Sequence, residues 1–124
     1  MTPPDDMPTV LVVDDAPANL NLLSGLLQAD YRVKLAASGA KALDLVQRAA
    51  PDLVLLDVMM PEMDGYEVCR RLKADTATSA IPVLFLTAMT QTEDEARGFQ
   101  VGAADFIQKP INPMVLQARV RTHL

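Results

Sequence analysis

The sequence predicts an α/β fold: a doubly wound, five-stranded parallel sheet in the order 2-1-3-4-5. Three observations support this expectation. From Thr9 onward, strand-like and helix-like segments alternate five times, with no linker, repeat or low-complexity stretch between them. Three strand-like runs, Val10-Leu11-Val12-Val13, Leu53-Val54-Leu55-Leu56 and Val83-Leu84-Phe85-Leu86, are continuously apolar, as expected for strands covered by helices on both faces. The run Arg32-Val33-Lys34-Leu35-Ala36 alternates and Asp105-Phe106-Ile107-Gln108 is short and mixed, which places the second and fifth strands at the sheet edges.

The helices have readable starts. Pro17 suits a first turn, and Leu20, Leu23, Leu26 and Leu27 form an apolar stripe behind it. Ser38 is placed to cap a second helix whose inner face holds Ala42, Leu43, Val46 and Ala50. Asp64 and Glu67 form a capping-box pattern before Val68 and Leu72, and Thr92 and Glu95 form another. The helix after Thr92 is polar, with Ala96 and Phe99 as its expected inward residues. Asn112-Pro113 opens the last helix, where Leu116, Val120 and Leu124 recur at helical spacing.

Bulk composition narrows the function classes. The chain has 124 residues, half of them apolar, which suits one domain with a full core: residues 1–8 as a loose tail and 9–124 as the folded unit. A net charge of −5 argues against direct nucleic-acid or anionic-membrane binding. No apolar stretch approaches the ~20 residues of a membrane helix, and no signal peptide is visible. The single cysteine, Cys69, excludes an internal disulfide, and the expected location is cytoplasmic.

The strand ends carry the chemistry. The order 2-1-3-4-5 reverses between strands one and three, and ligands bind beyond the C-terminal ends of strands at such a switch point. Asp14, Asp15 and Asp57 fall there, with Thr87 and Lys109 ending the fourth and fifth strands. Three converging carboxylates repel one another, and a hard cation such as Mg²⁺, or Mn²⁺ in its place, relieves that repulsion. A hydroxyl from Thr87 and a mobile positive charge from Lys109 complete an anion-stabilising clamp suited to phosphoryl transfer. Asp57 is then the natural nucleophile, because an aspartate can hold an acyl phosphate.

From Thr9 to Leu124 the chain resembles the receiver domains of two-component response regulators. The resemblance rests on Asp14-Asp15, the stretch from Asp57 to Gly65, Thr87-Ala88, Gly102-Ala103-Ala104-Asp105-Phe106 and Lys109-Pro110, in that order and spacing. It implies a flavodoxin-like (βα)5 fold and a phosphoacceptor switch that is not an enzyme in its own right. Asp57 would accept a phosphoryl group from a sensor histidine kinase or phosphotransfer protein. Asp15, Asp57 and the backbone carbonyl of Met59 would hold Mg²⁺, with Asp14 acting largely through water. Lys109 would pair with the phosphate, across a cis Lys109-Pro110 peptide, and Thr87 would move to hydrogen-bond it. Phe106 would turn inward when Thr87 moves, shifting the face formed by the fourth helix, fifth strand and fifth helix. Phenylalanine replaces the tyrosine of many relatives, so any output that uses that hydroxyl is lost. Met59 and Met89 stand where relatives tune phosphate lifetime, and neither methionine offers a base for water.

Bland readings fit the other polar residues. Asp5-Asp6 reads as a solvated tail, Asp52 as a loop residue at the wrong end of the sheet, and Asp64 as a cap. Cys69 reads as a small buried hydrophobe, His123 as a surface or interface residue, and Met59, Met60 and Met63 as loop packing. A haloacid-dehalogenase-type hydrolase would need an acid at position 59, which is Met59. A flavin module would need hydroxyls where Asp14-Asp15 stand. The main rival is a receiver that is never phosphorylated and serves only for docking or dimerisation. The ending Gln117 to Leu124 reads like a helix leading into an output domain, similar to receivers joined to cyclic-di-nucleotide enzymes or kinases. Leu116, Val120 and Leu124, with Phe106 nearby, suit either a homodimer face or the core.

Overall fold

The computed structural model describes residues 7–88 and 92–124, and only the backbone of 92–95. The aspartates of the expected tail, Met89, and the expected Thr92–Glu95 cap lie outside the described residues or side chains. Five strands and five helices alternate: β1 (Thr9–Val13), α1 (Pro17–Leu27), β2 (Arg32–Ala36), α2 (Gly39–Arg48), β3 (Leu53–Asp57), α3 (Gly65–Ala74), β4 (Val83–Thr87), α4 (Thr92–Gln100), β5 (Asp105–Gln108) and α5 (Pro113–His123). All strand pairs are parallel, in the order β2-β1-β3-β4-β5. The sequence-predicted order and edges hold.

The sheet separates two apolar layers. On one face Leu11, Val13, Val54, Leu56, Val83 and Phe85 pack against α2 and α3 through Ala42, Val46, Val68 and Leu72. On the other, Val10, Val12, Leu53, Leu55, Leu84, Leu86 and Ile107 meet α1 and α5 through Leu20, Leu23, Leu27, Leu116 and Val120. Strand residues alternate between the layers, so continuously apolar strands are what two layers require. Each fully buried Val or Leu contributes roughly 1.5–3 kcal/mol of burial. Of the two readings of the α5 stripe, the core reading holds for Leu116 and Val120, both fully buried, whereas Leu124 is exposed.

The caps set the helix entry angles. Ser38 accepts from Lys41 N at 3.1 Å, Asp64 from Glu67 N at 2.9 Å, and Asn112 from Met114 N and Val115 N at 2.9 and 3.2 Å. The Glu67 carboxylate is held by Arg70 and Arg71 on its own helix, and these pull it down to a pKa of about 2. Two expectations need correction. Helix α2 stops at Arg48 and leaves Ala50 exposed, because Pro51 disfavours helical backbone in the residue before it. Ala96 is exposed and Phe99 is half exposed; α4 turns Gly98 toward the sheet instead. Just ahead of β1, the Pro8 carbonyl accepts from Arg32 N at 2.9 Å.

Candidate functional site

Strands β1 and β3 lie side by side and both end in acid. Asp14 follows β1 and is fully buried; its N–H donates to the Ala36 carbonyl, which prolongs the sheet by one rung. Its Oδ1 accepts from Ala16 N at 2.9 Å, and its Oδ2 accepts from Asn19 Nδ2 and Lys109 Nζ, both at 3.1 Å. Asp57 ends β3, is 5 % exposed, and accepts from Met59 N at 3.4 Å. Lys109 Nζ lies 3.3 Å from Asp57 Oδ1, so one ammonium bridges the two buried carboxylates. Asp15 is exposed beside them, and one oxygen from each of Asp14, Asp15 and Asp57 lies within 4.8 Å of the others.

Lys109 is aimed by backbone. Its N–H donates to the Thr87 carbonyl at 2.8 Å, and the Lys109–Pro110 peptide is cis. Burial pushes the Asp57 carboxyl above its ordinary value and the charge of Asp14 adds to the push, while Lys109 opposes it. Burial works against the Lys109 charge, but the hydrogen bond to Asp14 and the field of Asp57 outweigh it, and its pKa rises. The site therefore carries more negative charge than one lysine neutralises. Hard carboxylate oxygens, two of them buried and one exposed, fit an oxygen-loving divalent cation that keeps part of its water shell.

Helix α3 fixes the Asp57 backbone from behind. Gly65 N donates to the Val58 carbonyl at 2.9 Å, and a Cβ on Gly65 would lie 2.3 Å from the Asp57 carbonyl oxygen. Only glycine lets the helix start this close to the acid. Thr87 ends β4, buried, one residue past Leu86, the partner of Asp57 in the sheet register. Phe106 pairs with Phe85 in the register and lies on the α4 side, away from the carboxylates, its ring 5.7 Å from Phe85 and 5.0 Å from Phe99. Sequence reasoning missed Asn19 and the steric role of Gly65. Asn19 sits on an apolar-striped helix with nothing in its spacing to show that it reaches back to Asp14.

Asp52, Cys69 and His123 stand apart from this cluster. Asp52 accepts from Thr9 N at 2.7 Å at the opposite end of the sheet. Cys69 is buried, donates to the Val101 carbonyl, and burial pushes its thiol up to about 11. His123 lies 3.0 Å from Asp105 Oδ2, whose other oxygen accepts from Arg119 at 2.6 Å. Met60 and Met63 do pack in the loop, but Met59 is 65 % exposed, because its N–H turns in toward Asp57 and its side chain points out.

Parallel order 2-1-3-4-5 with paired acids at the β1–β3 switch point, and a lysine reaching over from β5, define a receiver-type phosphoacceptor site. A family model described as the response regulator receiver domain matches residues 10–121, and the chain belongs to that family, the bacterial receivers of two-component systems. It is 47 % identical over 116 residues to a probable cyclic di-GMP phosphodiesterase of Vibrio cholerae, covering 94 % of this chain and 26 % of that protein. It is 49 % identical over 114 residues to response regulator PleD of Caulobacter vibrioides, covering 91 % of this chain and 25 % of that one. The chain thus spans about a quarter of the length of these two relatives. Among solved structures, the chemotaxis protein CheY4 of Vibrio cholerae superposes with a TM-score of 0.91 at 36 % identity, over 95 % of this chain and 99 % of that one. The BeF3-activated DrrB receiver domain does so with 0.85 at 38 % identity, over 94 % and 97 %. The function of this domain is that of a phosphoacceptor receiver, and the Asp14, Asp15 and Asp57 cluster matches the Mg²⁺ site of such domains. No described helix is long and apolar enough to cross a membrane.

Proposed function

We propose that Asp57 is the phosphoacceptor and that the folded unit, residues 9–124, is a two-state switch loaded by a sensor histidine kinase or phosphotransfer protein. The supporting observation is the Lys109 ammonium placed between buried Asp14 and buried Asp57. In the transfer, an Asp57 carboxylate oxygen bonds to the phosphorus of a phosphohistidine. The P–N bond breaks and its electron pair returns to the donor imidazole. Lys109 then exchanges part of its contact with Asp57 for the new phosphoryl oxygens, and the Thr87 hydroxyl donates to another. Asp15, Asp57 and the Met59 carbonyl would hold Mg²⁺ or Mn²⁺, with Asp14 behind them. The cation supplies charge neutralisation for the incoming phosphoryl group. Asp14 keeps Lys109 in place, and Asn19 and Ala16 N keep Asp14 in place.

The phosphate draws Thr87 toward it, Phe106 responds on the far side of β4, and the face of α4, β5 and α5 changes. That face acts on an output domain or partner outside this chain. The cyclic di-GMP phosphodiesterase named for the Vibrio relative is the type of output this reading favours. Phosphoramidate, whose P–N bond imitates phosphohistidine, tests the chemistry with a phosphate-retarding gel as readout. A shifted band that needs Mg²⁺ and is lost in Asp57→Asn, with Lys109→Ala slowed on the order of 100-fold or more, supports the proposal. A shifted band that persists in Asp57→Asn contradicts it.

A further inference from the structure

Helix α4 lies directly on the Phe106 ring, and it does so at Gly98. A Cβ built on Gly98 would stand 2.3 Å from Phe106 Cζ, 2.8 Å from Cε1, and 3.2 Å from Phe85 Cδ2. Carbon atoms do not approach so closely without displacement, since van der Waals contact between carbons begins near ~3.5 Å. The ring is boxed in: Phe85 tilts beneath it at 5.7 Å, Phe99 stands edge-on beside it at 5.0 Å, and the bare Gly98 backbone closes the top. Among the described side chains of α4, few others tie it down on this side. Ala96 is exposed, Phe99 leaves half its surface in solvent while leaning on the ring, and Arg97 stays exposed while stacking 4.3 Å over the Tyr66 ring.

We infer that Gly98 is a positioning residue for the switch, a notch in α4 that seats Phe106 inward and makes the docked helix and the inward ring a single state. The inference rests on the proposed role of Phe106 as the switch ring and adds the part of α4 that reads it. With the ring inward, α4 docks only if position 98 has no side chain. With the ring outward, the notch is empty and a methyl group fits. Any group at position 98 therefore biases the ring outward or lifts the helix. It does so without touching Asp14, Asp15, Asp57, Thr87 or Lys109.

A stability cycle gives an unambiguous sign. Inside a helix, Gly→Ala ordinarily stabilises, because glycine has more backbone freedom to lose. Gly98→Ala is expected instead to lower the thermal midpoint by several degrees in the parent chain, and to raise it in a Phe106→Ala background. That rescue also shows that the single variant's loss comes from the ring. A rise in both backgrounds overturns the notch.

The second arm uses fluorophenylalanine incorporated at the three phenylalanines, with the Phe106 fluorine resonance assigned by Phe106→Leu. In the parent, that resonance is expected to shift on acetyl phosphate treatment. In Gly98→Ala it should be displaced at the start and respond at most weakly, while the phosphoryl adduct still forms. A full parent-like response in a phosphorylated Gly98→Ala chain overturns the inference. Absence of any adduct in the parent overturns the proposed phosphoacceptor instead, and the stability cycle then decides for or against the notch without it.

Discussion

Asp57 pays for its position with stability. Burial and the charge of Asp14 raise its pKa, so the folded chain binds this proton more tightly than the unfolded chain does. A raised carboxyl makes folding most favourable below the ordinary carboxylate value, and stability falls as pH climbs from there through the raised value. In chelator, Asp57→Asn is expected to stabilise the chain at neutral pH by on the order of 1 kcal/mol, and to show little difference at low pH. Urea melts at the two pH values check this; a less stable variant at neutral pH would show that Lys109 already compensates both acids. The acids, Thr87 and Lys109 were legible in the sequence because each ends a strand-like run at one end of the sheet. Asn19, Gly65 and Gly98 were not. Their contributions are a reach from the first turn of α1 back to the end of β1 and two missing methyl groups, and neither kind leaves a periodic trace.

Among the elements, α4 stands out. Its sequence offers few apolar anchors, and among its described side-chain positions Gly98 is the buried one. Elements that move come from the least stable part of a fold. Hydrogen exchange is expected to show the backbone amides of residues 97–101 exchanging faster, by about tenfold or more, than those in the buried turns of α1 and α5. Equal protection in all three helices would rule out α4 as the mobile element. The polarity of this helix was legible, but its orientation was not. Phe99 looks like an inward anchor by hydropathy, yet it leans edge-on against Phe106 and leaves half its surface in solvent. In α2 a local rule sets the end: Pro51 stops the helix before Ala50 can join the apolar face.

At the scale of the molecule, strand order came from composition alone. Continuously apolar β1, β3 and β4 need cover on both faces, and polar β2 and β5 need an edge; the observed order satisfies both. That order puts β1 beside β3 and so gathers acids from distant parts of the chain. Because the cluster needs the folded sheet, a cation bound there favours the folded state. At Mg²⁺ about ten times its dissociation constant the gain is roughly 1.4 kcal/mol. Thermal melts should therefore rise with Mg²⁺ in the parent and much less in Asp15→Asn. Equal responses would place the cation elsewhere.

The most direct test of the central claim is intact-protein mass after acetyl phosphate treatment, followed by peptide mapping, for the parent and Asp57→Asn with and without Mg²⁺. The expected result is a single phosphoryl adduct, on the peptide containing Asp57, in the parent with Mg²⁺ alone. A folded parent that stays unmodified with Mg²⁺, or an adduct that maps to another residue, would contradict the assignment of Asp57 as the acceptor of this switch.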